Sequence, residues 1–438
     1  MRHFLSASAL LLAMGLRAQA YDLHAIDSVL EATHSTLYAG NVVCMIARDD
    51  SLIYYNAYGT YDSTSQALVA SVSKTFSASL LLSLAGDGIL SLDDTLGRYL
   101  PLSTTHGTGN CTLRQCFSHT GGWPEDDTPY TYLSNPFYTL QRCADSLLTH
   151  LTYQYPPGTA FDYGGVSMQL AGAAAEAAGG QPWNTLFGAR IATPLGLQES
   201  SYAGAGPFNP NVAGGMRSSP RDLMRLGAMI LHNGEFNGQQ VIPAAQLDAF
   251  WHDQTNAAPV IYSPFPPHPP YNPFDADTVR YGLGCWLDIQ DPADGFVEAM
   301  SADGAFGTSL FVDRCHGLVG VVFTLSSVTL TIQPNLFIES VARQAVPDNC
   351  LSTAIPENAP AMTTVVPDPA GAFVTVTTAP GTTMLMLHDM AGRLMARVPV
   401  NGTSTMIDTR ALPAGAYLIV PMRPDGKRSA PARLAVTR

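Results

Sequence analysis

A serine and a lysine three residues apart at the start of a predicted helix could together perform acyl transfer. Ser71 and Lys74 lie in the segment Ala70–Phe76, and their spacing places both side chains on one helix face, one turn apart. The N–H groups at a helix start are unpaired and carry positive potential, which favours a neutral lysine and a developing oxyanion nearby. A neutral Lys74 could then accept the proton of Ser71, so that the serine attacks a carbonyl without a histidine.

The scarcity of lysine in this chain supports a functional role for Lys74. Of the 22 basic residues only two are lysines, Lys74 and Lys427. An arginine keeps its proton in proteins, whereas a buried lysine can lose its proton near neutral pH. The same spacing also occurs in many chains as a serine beside a solvated lysine. Because Lys74 is the only lysine between residues 21 and 364, we infer that it does work that an arginine could not do.

The pair belongs to a longer pattern that resembles the serine β-lactamases and penicillin-recognising hydrolases, in their class C-like esterase and peptidase branch. The matching segments follow the family's order through most of residues 23–345 and are SVSK (71–74), GILSLDD (88–94), YLP (99–101), TLR (112–114), HTGG (119–122), PGTAFDY (157–163), AGGM (213–216), DL (222–223) and YGLG (281–284). The resemblance implies an α+β domain, in which an antiparallel sheet is flanked by helices and joined by a helical subdomain. It also implies that Ser71 is the nucleophile and that Lys74 and Tyr163 move protons, although a tyrosine taken alone would predict only a packed side chain.

The resemblance also assigns substrate-binding positions, and two of them depart from the family pattern. The family often has Tyr-x-Asn, with the Asn binding a substrate amide, where this chain has Gly165. Its third motif is usually Lys-Thr-Gly or His-x-Gly, and the corresponding residues here are Ala302, Asp303 and Gly304. Gly304 keeps the close backbone approach, but Ala302 supplies no cation for a β-lactam or peptide carboxylate. The pattern therefore favours ester or amide hydrolysis over β-lactamase or carboxypeptidase activity.

The backbone is expected to stabilise the negative charge of the reaction. By the same resemblance, the N–H groups of Ser71 and Ala305 form the oxyanion hole, each lowering the barrier by about 3 kcal/mol. His119 is expected to be structural, since a Ser–His–Asp hydrolase would need a G-x-S-x-G turn, which the sequence lacks. No zinc-like ligand spacing is present, and the expected mechanism requires no metal or organic cofactor.

Composition excludes several classes of partner. The chain has 438 residues, with 35 Asp+Glu against 22 Lys+Arg and a formal net charge of −13. This acidic balance argues against nucleic acid and anionic membrane surfaces, which both attract clustered Lys and Arg. With 46% apolar residues the chain can build a large core, yet no run of ~18 apolar residues predicts a transmembrane segment.

The first residues predict export. A basic start, an apolar stretch over residues 4–16 and an A-x-A end have the pattern of a signal peptide over residues 1–20. The mature protein is then expected to begin at Tyr21 and to be secreted or held at the cell surface after passing the periplasm. In an oxidising compartment we predict the pairs Cys315–Cys350 and Cys111–Cys143, with buried inert thiols as the alternative.

Two folded domains are predicted after the signal peptide. Residues 21–350 form the hydrolase domain, residues 351–364 a linker without periodicity, and residues 365–438 a small β-sandwich. In the hydrolase domain, periodicity predicts helices over Thr75–Gly86, Val166–Ala178 and Arg221–Asn233 and strands over Val42–Ile46, Tyr281–Ile289, Thr308–Asp313 and Leu318–Leu325. In the C-terminal domain it predicts strands over Phe373–Thr377, Met384–His388, Leu394–Val400 and Tyr417–Pro421.

The C-terminal domain resembles a type IX secretion sorting domain. The matching blocks are VVPDP (365–369), DMAGR (389–393) and LPAGAY (412–417), with Asp368 where that family usually has Asn. The resemblance implies that the type IX machinery of a Bacteroidetes-type bacterium exports the protein and that the domain is removed.

Together these observations predict an exported serine hydrolase acting on a small ester, amide or short peptide. One alternative is a non-catalytic, penicillin-binding-like scaffold that binds peptide or glycan at the same cleft, which Gly165 and Ala302 favour. Another is a true β-lactamase or D-alanyl carboxypeptidase. The presence of Ser71, Lys74 and Tyr163 together favours catalysis over the scaffold.

Overall fold

The computed structural model describes residues 21–124, 130–202, 206–264, 280–290 and 295–350, and the C-terminal stretches 364–367, 373–378, 380–389, 394–400, 402–413, 415–423 and 432–436. The predicted signal peptide and all but the last residue of the predicted linker lie outside these ranges. Within them, no helix combines the length and the apolar character that crossing a membrane requires.

The helices, in chain order α1–α13, are His24–Thr33, Ser73–Gly86, Leu96–Tyr99, Pro101–Thr105, Leu113–Phe117, Tyr130–Leu133, Leu140–His150, Val166–Gly179, Trp183–Phe187, Thr193–Leu195, Pro220–Leu231, Ala244–Leu247 and Val328–Ala345. Short 3-10 turns cover Ala70–Val72 and Asp248–Phe250, and a π-helical turn covers Gly188–Ala192.

The strands, in chain order β1–β20, are Val42–Arg48, Ser51–Tyr58, Ala67–Leu68, Phe161–Asp162, Ser201–Tyr202, Met216–Ser218, Glu235–Phe236, Gln239–Gln240, Val260–Tyr262, Trp286–Gln290, Val297–Asp303, Ser309–Asp313, Leu318–Thr324, Thr364–Pro367, Phe373–Thr377, Met384–Asp389, Leu394–Pro399, Ser404–Asp408, Gly415–Met422 and Ala432–Val436.

A six-stranded antiparallel sheet in the order β10–β11–β12–β13–β1–β2 forms the centre of the hydrolase domain. The alternation of β1 shows that both faces of this sheet are covered. Val43 and Met45 belong to the main core, whereas Cys44 and Ile46 pack in a second core with α1 and α13. The continuous apolar run of β1 follows from this double burial. The α+β fold predicted from the sequence is confirmed.

Helix α2 passes through the main core. Its residues from Ser73 to Leu84 are all buried, so small and apolar side chains occupy every side of the helix. Helix α11 lies against β12 and β13, where a Cβ on Gly227 would come within 2.4 Å of the Val319 side chain. Because the predicted nucleophile directly precedes α2, the burial of this helix fixes the nucleophile relative to the sheet.

The three helices predicted in this domain match α2, α8 and α11 to within two residues at either end. The strand predicted over Tyr281–Ile289 was too long, because only β10 from Trp286 onward is a strand. The residues before β10 form a turn that packs closely against the start of α2. Gly284 has φ +73°, and a Cβ there would lie 2.5 Å from the carbonyl oxygen of Lys74.

The C-terminal strands form two further sheets, in the orders β14–β15–β18 and β17–β16–β19–β20. Apolar side chains of both sheets share one core, which includes Val374, Val376, Ile407, Leu385, Leu387 and Ile419. This is the β-sandwich predicted from the alternating pattern. Its first strand begins at Thr364, inside the predicted linker by one residue.

One predicted cysteine pair is present and the other is wrong. Cys315 and Cys350 form a disulfide. Cys111 does not pair with Cys143, because its Sγ lies 3.4 Å from the Sγ of Cys116 at the start of α5, whereas Cys143 donates to the Tyr132 carbonyl. Among the residues described, the group with metal-ligand spacing consists of Cys315, Asp348 and Cys350, and its two sulfurs are bonded to each other.

Candidate active site

Ser71 occupies the 3-10 turn Ala70–Val72, which runs directly into α2. The first residue of this turn has φ +45°, a conformation that residues with a Cβ seldom adopt. Two hydrogen bonds to β6 hold it: the Val69 N–H donates to the Met216 carbonyl over 3.0 Å, and the Met216 N–H donates to the Ser73 hydroxyl over 2.9 Å. The backbone around Ser71 is therefore fixed by its hydrogen bonds to β6, and the Ser71 side chain stays partly exposed.

Lys74 directs its amine back at the serine. Its Nζ donates to Ser71 Oγ at 3.0 Å and to the carbonyl of Ala213 at 3.0 Å. The same nitrogen lies 4.6 Å from the centre of the Tyr163 ring. The lysine is only 4% exposed, and burial of this kind disfavours the charged form of an amine. The predicted neighbours Ser71, Lys74 and Tyr163 are thus brought together.

The Tyr163 hydroxyl is close enough to the Ser71 and Tyr281 hydroxyls for both to influence its pKa. Tyr163 follows β4, which pairs with β9, and its N–H donates to the Tyr262 carbonyl over 3.2 Å. Burial raises the pKa of Tyr163, and the Asp303 carboxylate raises it further. The neighbouring Ser71 and Tyr281 hydroxyls lower this pKa, but the net effect is a rise. Desolvation of the phenolate outweighs the interactions that would stabilise it. The resting form is the neutral phenol.

Three aromatic rings packed around Tyr163 were not identified as site residues from the sequence. The centroids of His119, Trp286 and Tyr281 lie 4.3, 5.2 and 6.1 Å from that of Tyr163, and the Trp286 ring is stacked on it. Tyr281 belongs to the quoted YGLG block, so the motif marked its position but not its contact with Tyr163. Nothing in the sequence singled out Trp286.

His119 fixes the tyrosine rather than serving as a base for Ser71. Its Nδ1 accepts the N–H of Gly164 at 3.4 Å, and its carbonyl accepts the N–H of Asp162 at 2.9 Å. Burial holds the pKa of His119 well below its usual range, and Lys74 lowers it further whenever the lysine is protonated. The imidazole therefore stays neutral near pH 7 and ties the HTGG turn to the strand before Tyr163.

The end of β11 meets the nucleophile turn at Gly304. A Cβ at this position would lie 2.2 Å from the Val69 carbonyl oxygen, so glycine is what permits the approach. The Gly304 N–H donates to Thr308 over 2.8 Å and closes a turn whose next residue is Ala305. In the ranges that the structure describes, no acceptor takes up the backbone N–H of Ser71 or Ala305. Both groups are available to a substrate oxyanion.

The two positions that depart from the family pattern differ in how much room they have. Gly165 directly precedes α8, and a Cβ there would lie 3.4 Å from Leu133 and 3.5 Å from Ala213, which are ordinary contact distances. Packing therefore allows a side chain at 165. Ala302 is buried in the main core, where its methyl group offers no charge to a substrate carboxylate.

Asp303 places an acidic group beside this end of β11. Ser301 Oγ lies 3.2 Å from one Asp303 oxygen and 2.9 Å from Oδ1 of Asp288. Burial raises the pKa of Asp303 to about 6, and hydrogen bonds from Ser309 and Ser301 oppose this rise. Where the family has a cation, this chain therefore has a methyl group followed by a carboxyl group.

A partly exposed hydroxyl that contacts both an amine and a phenol has the groups that acyl transfer requires. Comparisons with known proteins agree with this geometry. The β-lactamase family profile matches residues 31–334. The D-alanyl-D-alanine-carboxypeptidase/endopeptidase AmpH of Escherichia coli is 27% identical over 181 residues, which are 36% of this chain and 46% of the relative. The chain thus spans about half the length of this curated relative.

Solved structures extend the match over the whole hydrolase domain. A candidate β-lactamase from Bacteroides dorei is 25% identical and superimposes with a TM-score of 0.65, over 74% of this chain and 99% of that chain. EstCE1, a hydrolase with promiscuous acyltransferase activity, shares the fold at 18% identity and a TM-score of 0.59, over 73% of this chain and 98% of that chain. Since the family profile covers well over half of its residues, the chain belongs to the β-lactamase family and is a serine hydrolase.

Proposed function

We propose that the protein cleaves a small ester, amide or short peptide through an acyl-enzyme on Ser71. One observation carries the proposal: Lys74 Nζ lies 3.0 Å from Ser71 Oγ and 4.6 Å from the centre of the Tyr163 ring, and both Lys74 and Tyr163 are more than nine-tenths buried. A lysine in such a place can hold or release a proton near neutral pH, which the many arginines of the chain cannot do.

The proposed reaction uses the three groups in turn. A neutral Lys74 takes the proton of Ser71 as Oγ attacks the substrate carbonyl, and the N–H groups of Ser71 and Ala305 bind the resulting oxyanion. The neutral Tyr163 phenol passes a proton to the leaving group and regains one from Lys74. Water then attacks the acyl-enzyme with the same groups acting in reverse, and the acid product leaves.

The charge around the site supports a substrate without a carboxylate next to the scissile bond. Gly165, Ala302, Asp303 and Gly304 are the proposed substrate-binding positions, and none of them is a cation. A β-lactam or a D-alanyl peptide would present its carboxylate to a methyl group and a buried acid, which is unfavourable. We therefore expect weak turnover of such substrates, although the E. coli relative is a carboxypeptidase/endopeptidase.

We also propose that the protein is exported and that its C-terminal sandwich is a sorting domain for type IX secretion machinery. The described residues at the two ends of the LPAGAY block support this proposal. Leu412 is buried, and the Tyr417 hydroxyl donates to the Pro413 carbonyl over 2.7 Å. Deletion of residues 365–438 in a bacterium with type IX secretion should leave the hydrolase in the periplasm. Release into the medium without these residues would contradict the assignment.

The proposed activity is tested by labelling with a fluorophosphonate and by hydrolysis of p-nitrophenyl acetate and butyrate. Ser71→Ala should lose both labelling and turnover, whereas the exposed control Ser51→Ala should keep them. Nitrocefin turnover should be negligible in the wild type. A folded wild type that neither labels nor turns over esters would favour the binding scaffold, and brisk nitrocefin turnover would favour a β-lactamase.

A further inference from the structure

Two buried thiols that the proposed mechanism does not use face each other at the start of α5. The Sγ atoms of Cys111 and Cys116 are 3.4 Å apart, and both residues are completely buried. This distance exceeds the ~2.05 Å of a disulfide by about 1.4 Å. The two sulfurs are therefore in direct contact in the folded chain.

The backbone holds these cysteines in this position. Thr112 is the N-cap of α5: its hydroxyl accepts the N–H of Gln115 at 3.2 Å, and the Gln115 side chain accepts the N–H of Thr112 at 3.0 Å. Cys111 directly precedes this capping box and Cys116 is the fourth residue of the helix. These are the two positions at which apolar side chains commonly meet in a hydrophobic staple. Here both are thiols.

We propose that Cys111 and Cys116 form a second disulfide that staples the start of α5. Each thiol gives up its proton and one electron to a small disulfide such as oxidised glutathione, so that one S–S bond forms and two glutathione thiols are released. Because both thiols are buried in the folded chain, the exchange takes place during folding. The Cys315–Cys350 disulfide is consistent with folding in an oxidising compartment.

The other three free cysteines do not compete for this bond in the folded chain. Cys143 donates to the Tyr132 carbonyl and Cys285 to the Phe250 carbonyl, and Cys44 lies within strand β1. No contact between their sulfurs and either stapled thiol occurs among the described residues. The structure therefore selects Cys116 as the partner of Cys111.

The proposed disulfide would stabilise α5 and the residues that connect this helix to the active site. Helix α5 ends at Phe117, whose carbonyl accepts the N–H of Gly284, and Gly284 lies against the backbone of Lys74. Two residues after the helix comes His119, whose ring packs on Tyr163 at 4.3 Å. Closing the bond restricts the unfolded chain and the fraying of α5, so we expect the melting temperature to rise by roughly 2–5 °C.

The test is a peptide map of the unmutated full chain, so it does not depend on a variant that folds. The reduced, denatured protein is refolded in mixed oxidised and reduced glutathione, alkylated under denaturing conditions and digested with trypsin. Because Arg114 lies between the two cysteines, cleavage puts them on separate peptides, 99–114 and 115–142. We expect these peptides to be joined by a disulfide and three thiols per chain to be alkylated.

Five alkylated thiols per chain, or a peptide linking Cys111 to Cys143, would overturn the proposal. Cys143→Ala is the matched control, since it should remove one alkylated thiol and leave the 99–114 to 115–142 link intact. The oxidised Cys111→Ala/Cys116→Ala variant should melt below the oxidised wild type by the stated shift. The reduced wild type and the reduced double variant both lack the disulfide, so their melting temperatures should not differ by that shift.

Discussion

Lys74→Arg is the sharpest test of how the active site works. Arginine keeps the positive charge and can still donate to the Ala213 carbonyl, but it cannot release a proton to become a base. Lys74 Nζ stands 3.0 Å from Ser71 Oγ, within direct proton-transfer distance. General-base catalysis contributes about 10²–10⁴ in rate, so we expect kcat/KM for p-nitrophenyl acetate to fall by about 10³, or ~4 kcal/mol of barrier.

The chain provides its own control for this substitution. Lys427 is the other lysine, and Lys427→Arg should leave kcat/KM unchanged. Because Lys74 is buried, the larger arginine also strains the packing, so the melting temperature of each variant must be measured beside its activity. The proton-transfer role also predicts that a small primary amine added to Lys74→Ala restores part of the turnover. A folded Lys74→Arg enzyme that retains kcat/KM within threefold would refute the reasoning.

Three further substitutions test the surroundings of this pair. Tyr281→Phe removes the hydroxyl beside Tyr163 but keeps the ring, so kcat should fall about 2–10-fold with an almost unchanged melting temperature; an unchanged kcat would show that this hydroxyl is not needed. Asp303→Asn should become more stable relative to wild type as pH rises from about 4 to 7. Burial raises the pKa of Asp303 to about 6, so ionising this carboxyl costs the folded wild type up to ~3 kcal/mol above pH 6, a cost that asparagine does not have. A difference in stability that does not vary with pH in melting scans would contradict this. Gly165→Asn should fold normally and raise the ratio of amide to ester hydrolysis. The control Gly284→Ala should lower the melting temperature, because Gly284 has a positive φ and a Cβ there would overlap the Lys74 carbonyl oxygen. Equal melting temperatures for the two variants would contradict the packing argument.

The local parts of the site were accessible from the sequence because they depend on regular geometry. A separation of three residues places Ser71 and Lys74 on one helix face whatever the rest of the chain does. The alternating and helical patterns predicted α2, α8 and α11, four of the seven described sandwich strands and the α+β class for the same reason. The rarity of lysine then distinguished Lys74 from an ordinary surface residue.

Other parts depended on residues that are far apart in the chain. The carbonyl that accepts from Lys74 belongs to Ala213, 139 residues away, and no periodicity encodes such a contact. The same holds for the Trp286 ring on Tyr163. The contact of Cys111 with Cys116 rather than Cys143 is local, but it depends on the capped start of α5, which the sequence analysis did not predict.

The reactive groups of this enzyme can be read from its amino-acid order: one serine and one lysine at helical spacing, a tyrosine in a family motif, and no cation at position 302. The protonation states of those groups depend on how the chain folds around them. Burial keeps the Tyr163 phenol and the His119 ring neutral, and it raises the pKa of the Asp303 carboxyl to about 6. The physical reason is that the order of residues along the chain specifies their types and local spacing, whereas the energy of a charge depends on how much water the folded chain removes from around it.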